Sequence, residues 1–325
     1  MAKSSYRPRT TRRRKRTPAQ QMLSLVVLVI VAIIAYWLSQ NTNNDPTPTY
    51  SADQNEEGFY YYQSLDGDSY YQSTENVIGQ ALKNELHNIV NEDKNLMTYA
   101  DVRQALEIVD LQVGSSSALY GIYDGASFPA SWDGGATWNR EHVWPNSRLG
   151  LERVEDYQRN QATDLHNLRA SSVSMNSSKS DRFFSEGSGE ATTTSDGGFY
   201  PGDDHRGDVA RIVFYMAVTY DFLVLTDDDL LDESNHYTLE GTKMGKLTLL
   251  LEWHKEDPVS SFERERNDRI FDLQGNRNPF IDHPEYVHLI WEDKTIGDLE
   301  RPHTIAYQDP FLALIEKRRE LYDLL

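Results

Sequence analysis

A chain of 325 residues, with 38% hydrophobic and 11% aromatic side chains, is long enough to bury a large core. It has no cysteine, which excludes disulfides, thiolate metal sites and a cysteine nucleophile, so any metal must sit on oxygen and nitrogen ligands. The net charge of −19 hides an asymmetry: residues 1–40 carry eight Lys or Arg and no acid, leaving 24 basic against 51 acidic side chains in the remainder, a balance that by itself argues against a nucleic-acid partner.

In chain order, the basic tail 1–21 leads into MLSLVVLVIVAIIAYWL, an uncharged apolar run from Met22 to Leu38. As a helix this run reaches about 26 Å, near the lower limit for spanning a bilayer core, and it is longer than the apolar region of a usual signal peptide. It predicts a transmembrane anchor with the basic tail in the cytoplasm, the rest of the chain outside the cell, and Tyr36 and Trp37 at the outer interface. No small-residue cleavage site presents itself, so the anchor is expected to stay attached; a secreted form would follow from its cleavage. Residues 39–69 are polar and predict a flexible linker. The tetrapeptide YYQS occurs at 61–64 and at 70–73, too few copies for a repeat architecture.

Helical spacing of Val77, Leu82, Leu86, Ile89 and Val90 predicts a helix capped by Thr74 or Asn76, and a second runs from Tyr99 to Val109. The glycine-punctuated segment from Leu119 to Pro145 reads as strands and turns. It delivers WNREHVWPNSRLG, Trp138 to Gly150, placed on a strand leaving a loop. After the charged connection Leu151–Ala162 comes TDLHNLRASSVSMNSSKSDRFF, in which Leu165 and Leu168 suit a short strand or turn and Val173 to Lys179 a helix presenting Asn176. Glu186 to Gly207 reads as a loop. The run Asp208–Leu225 predicts the buried central helix with Asp208 as its cap, which explains Arg206-Gly207-Asp208 better than an adhesion tripeptide does. A helix from Met244 to His254 and an Arg-rich stretch from Phe262 to Trp291 complete the domain. In that stretch Arg264, Arg266, Arg269 and Arg277 read as salt-bridge structure, and Asp227 to Asp229 as a solvated loop.

The chemistry concentrates at Glu141-His142. A carboxylate beside an imidazole, flanked by Arg140 and Arg148, offers a metal ligand, a proton acceptor and charge directed at phosphate. An isolated Glu-His pair carries little weight, because most such pairs are surface or structural residues. Its neighbourhood carries more: from Trp138 to Phe183 there are seven basic and six acidic residues, so this stretch escapes the acidity of the rest.

Four blocks together raise the specificity: WNREHVWPNS (Trp138–Ser147), TDLHNLRASSVSMNSSKSDRFF (Thr163–Phe184), RGDVARIVFYM (Arg206–Met216) and RNDRIFDLQGNRNPFIDHPE (Arg266–Glu285). In this order they resemble the endonuclease I family of bacterial secreted or periplasmic nucleases, a branch of the His-Me finger, or ββα-metal, enzymes. The resemblance implies an α+β fold in which a ββα-metal core is embedded in a mostly helical catalytic domain, residues 70–325. It implies that His142 is the general base and that Glu141 and Asn176 hold one Mg²⁺, with Mn²⁺ or Ca²⁺ as substitutes. Substrate phosphate would meet Arg148 or Lys179, with Arg153 and Arg159 as further candidates for the clamping arginine, and His166 would give structural support. Some relatives carry disulfides; here rigidity must come from packing alone.

The expected function is therefore that of a membrane-anchored, extracellular, Mg²⁺-dependent and sequence-nonspecific endonuclease. It would hydrolyse DNA, with RNA left open, and leave 5′-phosphate ends. Its partners would be nucleic acid and, through residues 22–38, the membrane, with no obligate protein partner. Chemistry supports the division of labour: a neutral imidazole, of reference pKa about 6.5, can accept a proton from water at neutral pH. The rival expectation is a catalytically inactive cell-surface binding or adhesion protein that keeps the fold, and the joint presence of Glu141, His142 and Asn176 speaks against it.

Overall fold

A computed structural model describes residues 50–228, 230 and 242–302 of the chain. The basic tail, the apolar run Met22–Leu38 and the first part of the expected linker lie outside the described residues. Among the described residues no helix is long and apolar enough to cross a membrane.

The chain opens with helices α1 (Gly79–Glu92) and α2 (Val102–Val109), then strands β1 (Ala118–Tyr120) and β2 (Ser127–Pro129), which pair antiparallel. Next come β3 (Trp138–His142) and β4 (Leu168–Ser172), also antiparallel, with α3 (Val173–Lys179) following β4 directly. Two-residue strands β5 (Thr192–Thr193) and β6 (Phe199–Tyr200) precede the central helix α4 (Arg206–Thr219). The last elements are the parallel pair β7 (Val224–Leu225) and β8 (Lys243–Met244), then α5 (Leu247–Glu256), α6 (Ser261–Gln274), α7 (Pro279–Asp282) and α8 (Glu285–Trp291). The result is a mixed helical and strand architecture with a ββα unit, β3-β4-α3, set among helices.

The sequence of α4 explains its place. Every residue from Gly207 to Thr219 is buried, because VARIVFYMAV puts apolar side chains on all sides, and α1 and α5 pack against it. Asp208 does not cap this helix. His205 occupies the cap position, while Asp208 lies buried in the first turn within 3.5 Å of Arg169 and 3.7 Å of Arg211. The helix start is packed too tightly for display to a receptor: a Cβ on Gly207 would sit 2.1 Å from the Asp257 carbonyl oxygen.

A second apolar cluster backs the ββα unit. Val102, Leu106 and Val109 of α2, Trp138 of β3, Leu168 and Ala170 of β4 and Ile270 of α6 are all buried there. Helix α6 is fixed at both ends. Ser260 and Glu263 form a reciprocal capping box, with Ser260 Oγ accepting from the Glu263 amide at 3.2 Å and Glu263 Oε2 accepting from the Ser260 amide at 2.8 Å. Gly275 ends the helix at φ +87°, where a Cβ would come within 2.6 Å of the Asp93 carbonyl oxygen.

Residues 50–69 correct the expected linker. Tyr60 and Leu65 are buried, the Tyr62 amide donates to the Leu299 carbonyl at 2.8 Å, and Gln63 bonds the Glu285 carboxylate through its own amide and its side chain. Polar composition suggested a free stalk, but three successive tyrosines provide enough apolar area to seat this segment on α5 and α8.

Candidate active site

The antiparallel register sets Arg140 opposite Ala170, Glu141 opposite Arg169 and His142 opposite Leu168. Because α3 continues without a connecting loop from β4, its first turns lie against β3. Ser172 caps the helix by accepting from the Met175 amide at 3.3 Å, and Asn176 donates its side-chain N–H to the Arg140 carbonyl at 3.4 Å. A cleft of about 850 Å³ opens here, and Tyr99, Arg140, Glu141, His142, Arg153 and Asn176 are among the residues lining it. The three residues expected to do the chemistry thus share one wall.

His142 is held in one tautomer. Its Nε2 lies 2.8 Å from the Ala162 carbonyl oxygen, which can only accept, so Nε2 carries the proton and Nδ1 keeps its lone pair. That carbonyl is positioned by a short turn, Gln161–Thr163, capped by Asn160, whose side chain accepts from the Ala162 amide at 3.0 Å. The Tyr99 ring stacks on the imidazole with centroids 5.6 Å apart. Burial pushes the imidazole pKa down, and the charges of Arg140, Lys179 and Arg153 add to the effect, so the ring is neutral at physiological pH.

Glu141 is only 2% exposed, and Tyr123 donates its hydroxyl to Oε1 at 2.8 Å. Burial raises its carboxyl to about 7, opposed first by the charge of Lys179. Lys179 is fully buried; burial pulls its ammonium down to about 8, and the charge of Glu141 works the other way. Its Nζ has no hydrogen-bond partner and stands 4.8 Å from the Phe184 ring centroid. A group so enclosed is poorly placed to touch phosphate; it acts on Glu141 through its field.

Arg148 is likewise buried and committed to backbone. Its Nε donates to the Asp181 carbonyl at 2.9 Å and its Nη1 to those of Lys243 at 2.9 Å and Leu230 at 3.1 Å, tying the turn after β3 to β8. It does not line the cleft, whereas the exposed Arg153 does. Arg140 lines the cleft but is engaged: its guanidinium lies over the Tyr99 ring at 3.4 Å and 3.6 Å from Asp156. His166 is buried away from the cleft, donating from Nε2 to the Asn276 carbonyl at 3.2 Å with its ring 4.3 Å from that of Tyr215, and burial holds it neutral.

Sequence reasoning missed Tyr99, Tyr123 and the Ala162 carbonyl. A backbone carbonyl leaves no trace in residue type. Tyr123, at φ +80°, sits in a conformation that nothing about a tyrosine announces.

The donor set suits a hard divalent cation. Among the described residues no group of three or more His, Asp or Glu gathers; of the expected ligands the cleft brings together one buried carboxylate, Glu141, and one amide, Asn176, oxygen donors that a hard cation would complete with water. An open, polar cleft beside a fixed base is the arrangement of a hydrolase for a long, charged polymer, and the class it defines is a nuclease, an enzyme hydrolysing phosphodiester bonds. Residues 78–285 match Endonuclease I, and the chain belongs to that family. It is similar to the extracellular ribonuclease of Bacillus subtilis (strain 168), 38% identical over 240 residues that cover 70% of this chain and 79% of the relative. Similarity to the extracellular ribonuclease of Bacillus amyloliquefaciens is the same in identity and covers 80% of that protein. Endonuclease-1 of Buchnera aphidicola subsp. Baizongia pistaciae (strain Bp) is 26% identical over 167 residues, 43% of this chain and 60% of that relative.

Proposed function

We propose that this nuclease is a membrane-anchored, extracellular, Mg²⁺-dependent endonuclease of low sequence specificity that cuts DNA and RNA and leaves 5′-phosphate ends, working through a His-Me finger site. The observation that carries the reading is His142: its Nε2 is occupied by the Ala162 carbonyl, so Nδ1 is the free base of a residue lining the same cleft as Glu141 and Asn176. In the reaction Nδ1 takes a proton from a water molecule, whose oxygen attacks phosphorus. The bond from phosphorus to the 3′-oxygen breaks, solvent protonates that oxygen, and the phosphate remains on the 5′ side. Arg153, exposed at the cleft, is the arginine placed to meet a phosphate oxygen, and Arg148 supports the turn beneath. A Mg²⁺ held by Glu141 and Asn176 would supply positive charge to offset that developing on the phosphate and the leaving oxygen.

The substrate reading combines the nuclease family with the ribonuclease names of two relatives. Low specificity accords with a site built from backbone-positioned polar groups without a recognisable base-reading module. Location outside the cell, on an anchor at Met22–Leu38, rests on the apolar run and the basic tail before it. The adhesion alternative loses its motif, since Gly207 and Asp208 are buried.

The test is digestion of plasmid DNA and of total RNA by the full-length protein in detergent, with Mg²⁺, with chelator, and by His142→Ala. Cleavage that survives chelation, or equal cleavage by the variant, defeats the mechanism. For the anchor, cells are fractionated: full-length protein in the wash rather than the membrane pellet contradicts it.

A further inference from the structure

Leu151 to Val154 line the cleft, after which the chain makes a turn at Glu155–Gln158 that carries Tyr157 at its tip. Tyr157 is 73% exposed, more than any other large hydrophobic side chain among the described residues. Exposure of one tyrosine is ordinary; the way its turn is held is not. The Gln158 amide donates to the Glu155 carbonyl at 3.0 Å and the Gln158 side-chain oxygen accepts from the Glu155 amide at 2.7 Å, closing the turn on itself. The turn then docks on the segment that carries the histidine's stacking partner: the Tyr99 amide donates to the Gln158 carbonyl at 3.0 Å and the Ala100 amide to the Asp156 carbonyl at 2.9 Å. The Asp156 carboxylate adds a two-pronged pair with Arg103, at 2.7 and 2.8 Å, and stands 3.6 Å from Arg140. The neighbours of Tyr157 are pinned to the catalytic wall while its ring is left in water.

We propose that Tyr157 is a stacking platform for an unpaired base of the substrate, which favours single-stranded nucleic acid over duplex; this rests on the nuclease reading above. Three observations converge. First, the turn borders the cleft: Val154, which precedes it, and Tyr99, on which it docks, both line the cleft, and Tyr99 lies against His142. Second, Arg153 and Arg159 are exposed on either side of the tyrosine in the chain and supply cations for phosphates. Of the two acids between them, Asp156 is paired with Arg103 and Arg140 and Glu155 accepts from the Tyr157 hydroxyl, leaving the ring face for a base. Third, the turn is ordered before binding, so the entropy of fixing the ring's backbone is already spent and stacking contributes fully to affinity. A duplex hides its base faces in its own stack, whereas a single strand offers them, and hence the selectivity. Base–aromatic stacking ignores base identity because every base has a π-face, in keeping with low sequence specificity.

The test compares wild type, Tyr157→Ala, Tyr157→Phe and Tyr157→Trp in detergent on a single-stranded oligonucleotide and its duplex, with kcat and KM measured for each. Binding of the single strand in chelator is followed in parallel by fluorescence anisotropy and by quenching of a 2-aminopurine label. We expect Tyr157→Ala to lower the single-strand to duplex ratio of kcat/KM by about tenfold, through KM rather than kcat, and to weaken single-strand binding in chelator by a similar factor. Phe and Trp should restore both, because the ring and not the hydroxyl is at work. Equal ratios for wild type and Tyr157→Ala would overturn the platform while leaving the nuclease intact, and so would equal losses on both substrates. A wild-type protein that cuts neither substrate overturns the nuclease reading, and the anisotropy arm still decides whether Tyr157 holds a single strand.

Discussion

Two regions of this protein bury charge, and they treat it in opposite ways. Beneath α6, Asp110 receives Arg266 at 2.7 Å and Arg169 at 3.2 Å, Arg266 also donates to the Leu165 and Leu168 carbonyls, and Arg211 meets Glu263 through two nitrogens at 2.5 and 2.8 Å. Every charge there has partners, and the network fastens α2, β4, α4 and α6 to one another. Across β3, the buried Glu141 has one hydrogen bond, from Tyr123, and the buried Lys179 has none. Complete pairing makes a scaffold in which each carboxylate faces a guanidinium, and in which burial still raises the Glu263 carboxyl to about 7 against the charge of Arg211. Incomplete pairing leaves a carboxylate that can still respond to a cation, and an ammonium that acts on that carboxylate through its field.

Substitutions that exchange the two regimes break or sharpen this contrast. The largest effect is expected from His142→Ala, which removes the proposed base and should lower kcat by about 10²- to 10⁴-fold while circular dichroism and thermal midpoint stay near wild type. Next is Asp110→Ala, which leaves two buried guanidinium groups without their carboxylate. It should destabilise the fold by about 3–5 kcal/mol in urea unfolding, whereas a loss below about 1 kcal/mol would show that the network is not what holds these elements.

A third experiment uses pH. Buried His283 lies 3.1 Å from Asp68 and 3.0 Å from Glu285; burial opposes its charge, but Glu285 and Asp68 outweigh burial and lift it to about 9. A folded-state pKa raised above the unfolded value of about 6.5 means that the stabilisation is fully present below pH 6.5 and is lost as pH rises through about 9, at most on the order of 3 kcal/mol. Thermal midpoints from pH 6 to 10 should fall for wild type, and the slope should flatten in His283→Gln.

The smallest effect, and the most discriminating, is expected from Lys179→Met. Removing an unpaired buried ammonium should stabilise the protein by roughly 1–3 kcal/mol at neutral pH. It also withdraws the charge that opposes burial at Glu141, so the Glu141 pKa should rise further above 7. The proposed metal-supported activity, which needs the carboxylate ionised, should then require higher pH, moving the acid limb of the pH–rate profile upward by about one unit. A variant that gained stability with an unmoved profile would deny Lys179 any influence on the site.

How much was legible beforehand depended on the kind of pattern. The helices with clear spacing, Gly79–Glu92 and Arg206–Thr219, form where their apolar residues predict them, because periodicity reports burial directly, but the central helix stops at Thr219 and the expected last residues Val224–Leu225 form β7 instead. Caps fared worse: neither Thr74 nor Asn76 caps α1, and Asp208 is drawn inward by Arg169 and Arg211, since a buried guanidinium outbids an end-of-helix amide for a carboxylate. Glu141, His142 and Asn176 were legible as a set through the order of four blocks, and the structure brings all three to one cleft. Which arginine lines that cleft was not legible, because Arg148 and Arg153 are alike in type and differ only in what surrounds them.

The sequence by itself determined the central apolar helix and the absence of cysteine ligands, which depend on residue type and spacing along the chain, while the resemblance of four blocks supplied the ββα expectation and the candidates Glu141, His142 and Asn176. Only the tertiary structure decided which nitrogen of His142 is free, that Lys179 faces a carboxylate instead of solvent, and that residues 50–69 belong to the domain. The physical reason is that a tautomer, a shifted pKa and a seated segment are set by partners far away in sequence: a carbonyl 20 residues from the histidine, a carboxylate on strand β3 facing the lysine of α3, and helices more than 180 residues downstream.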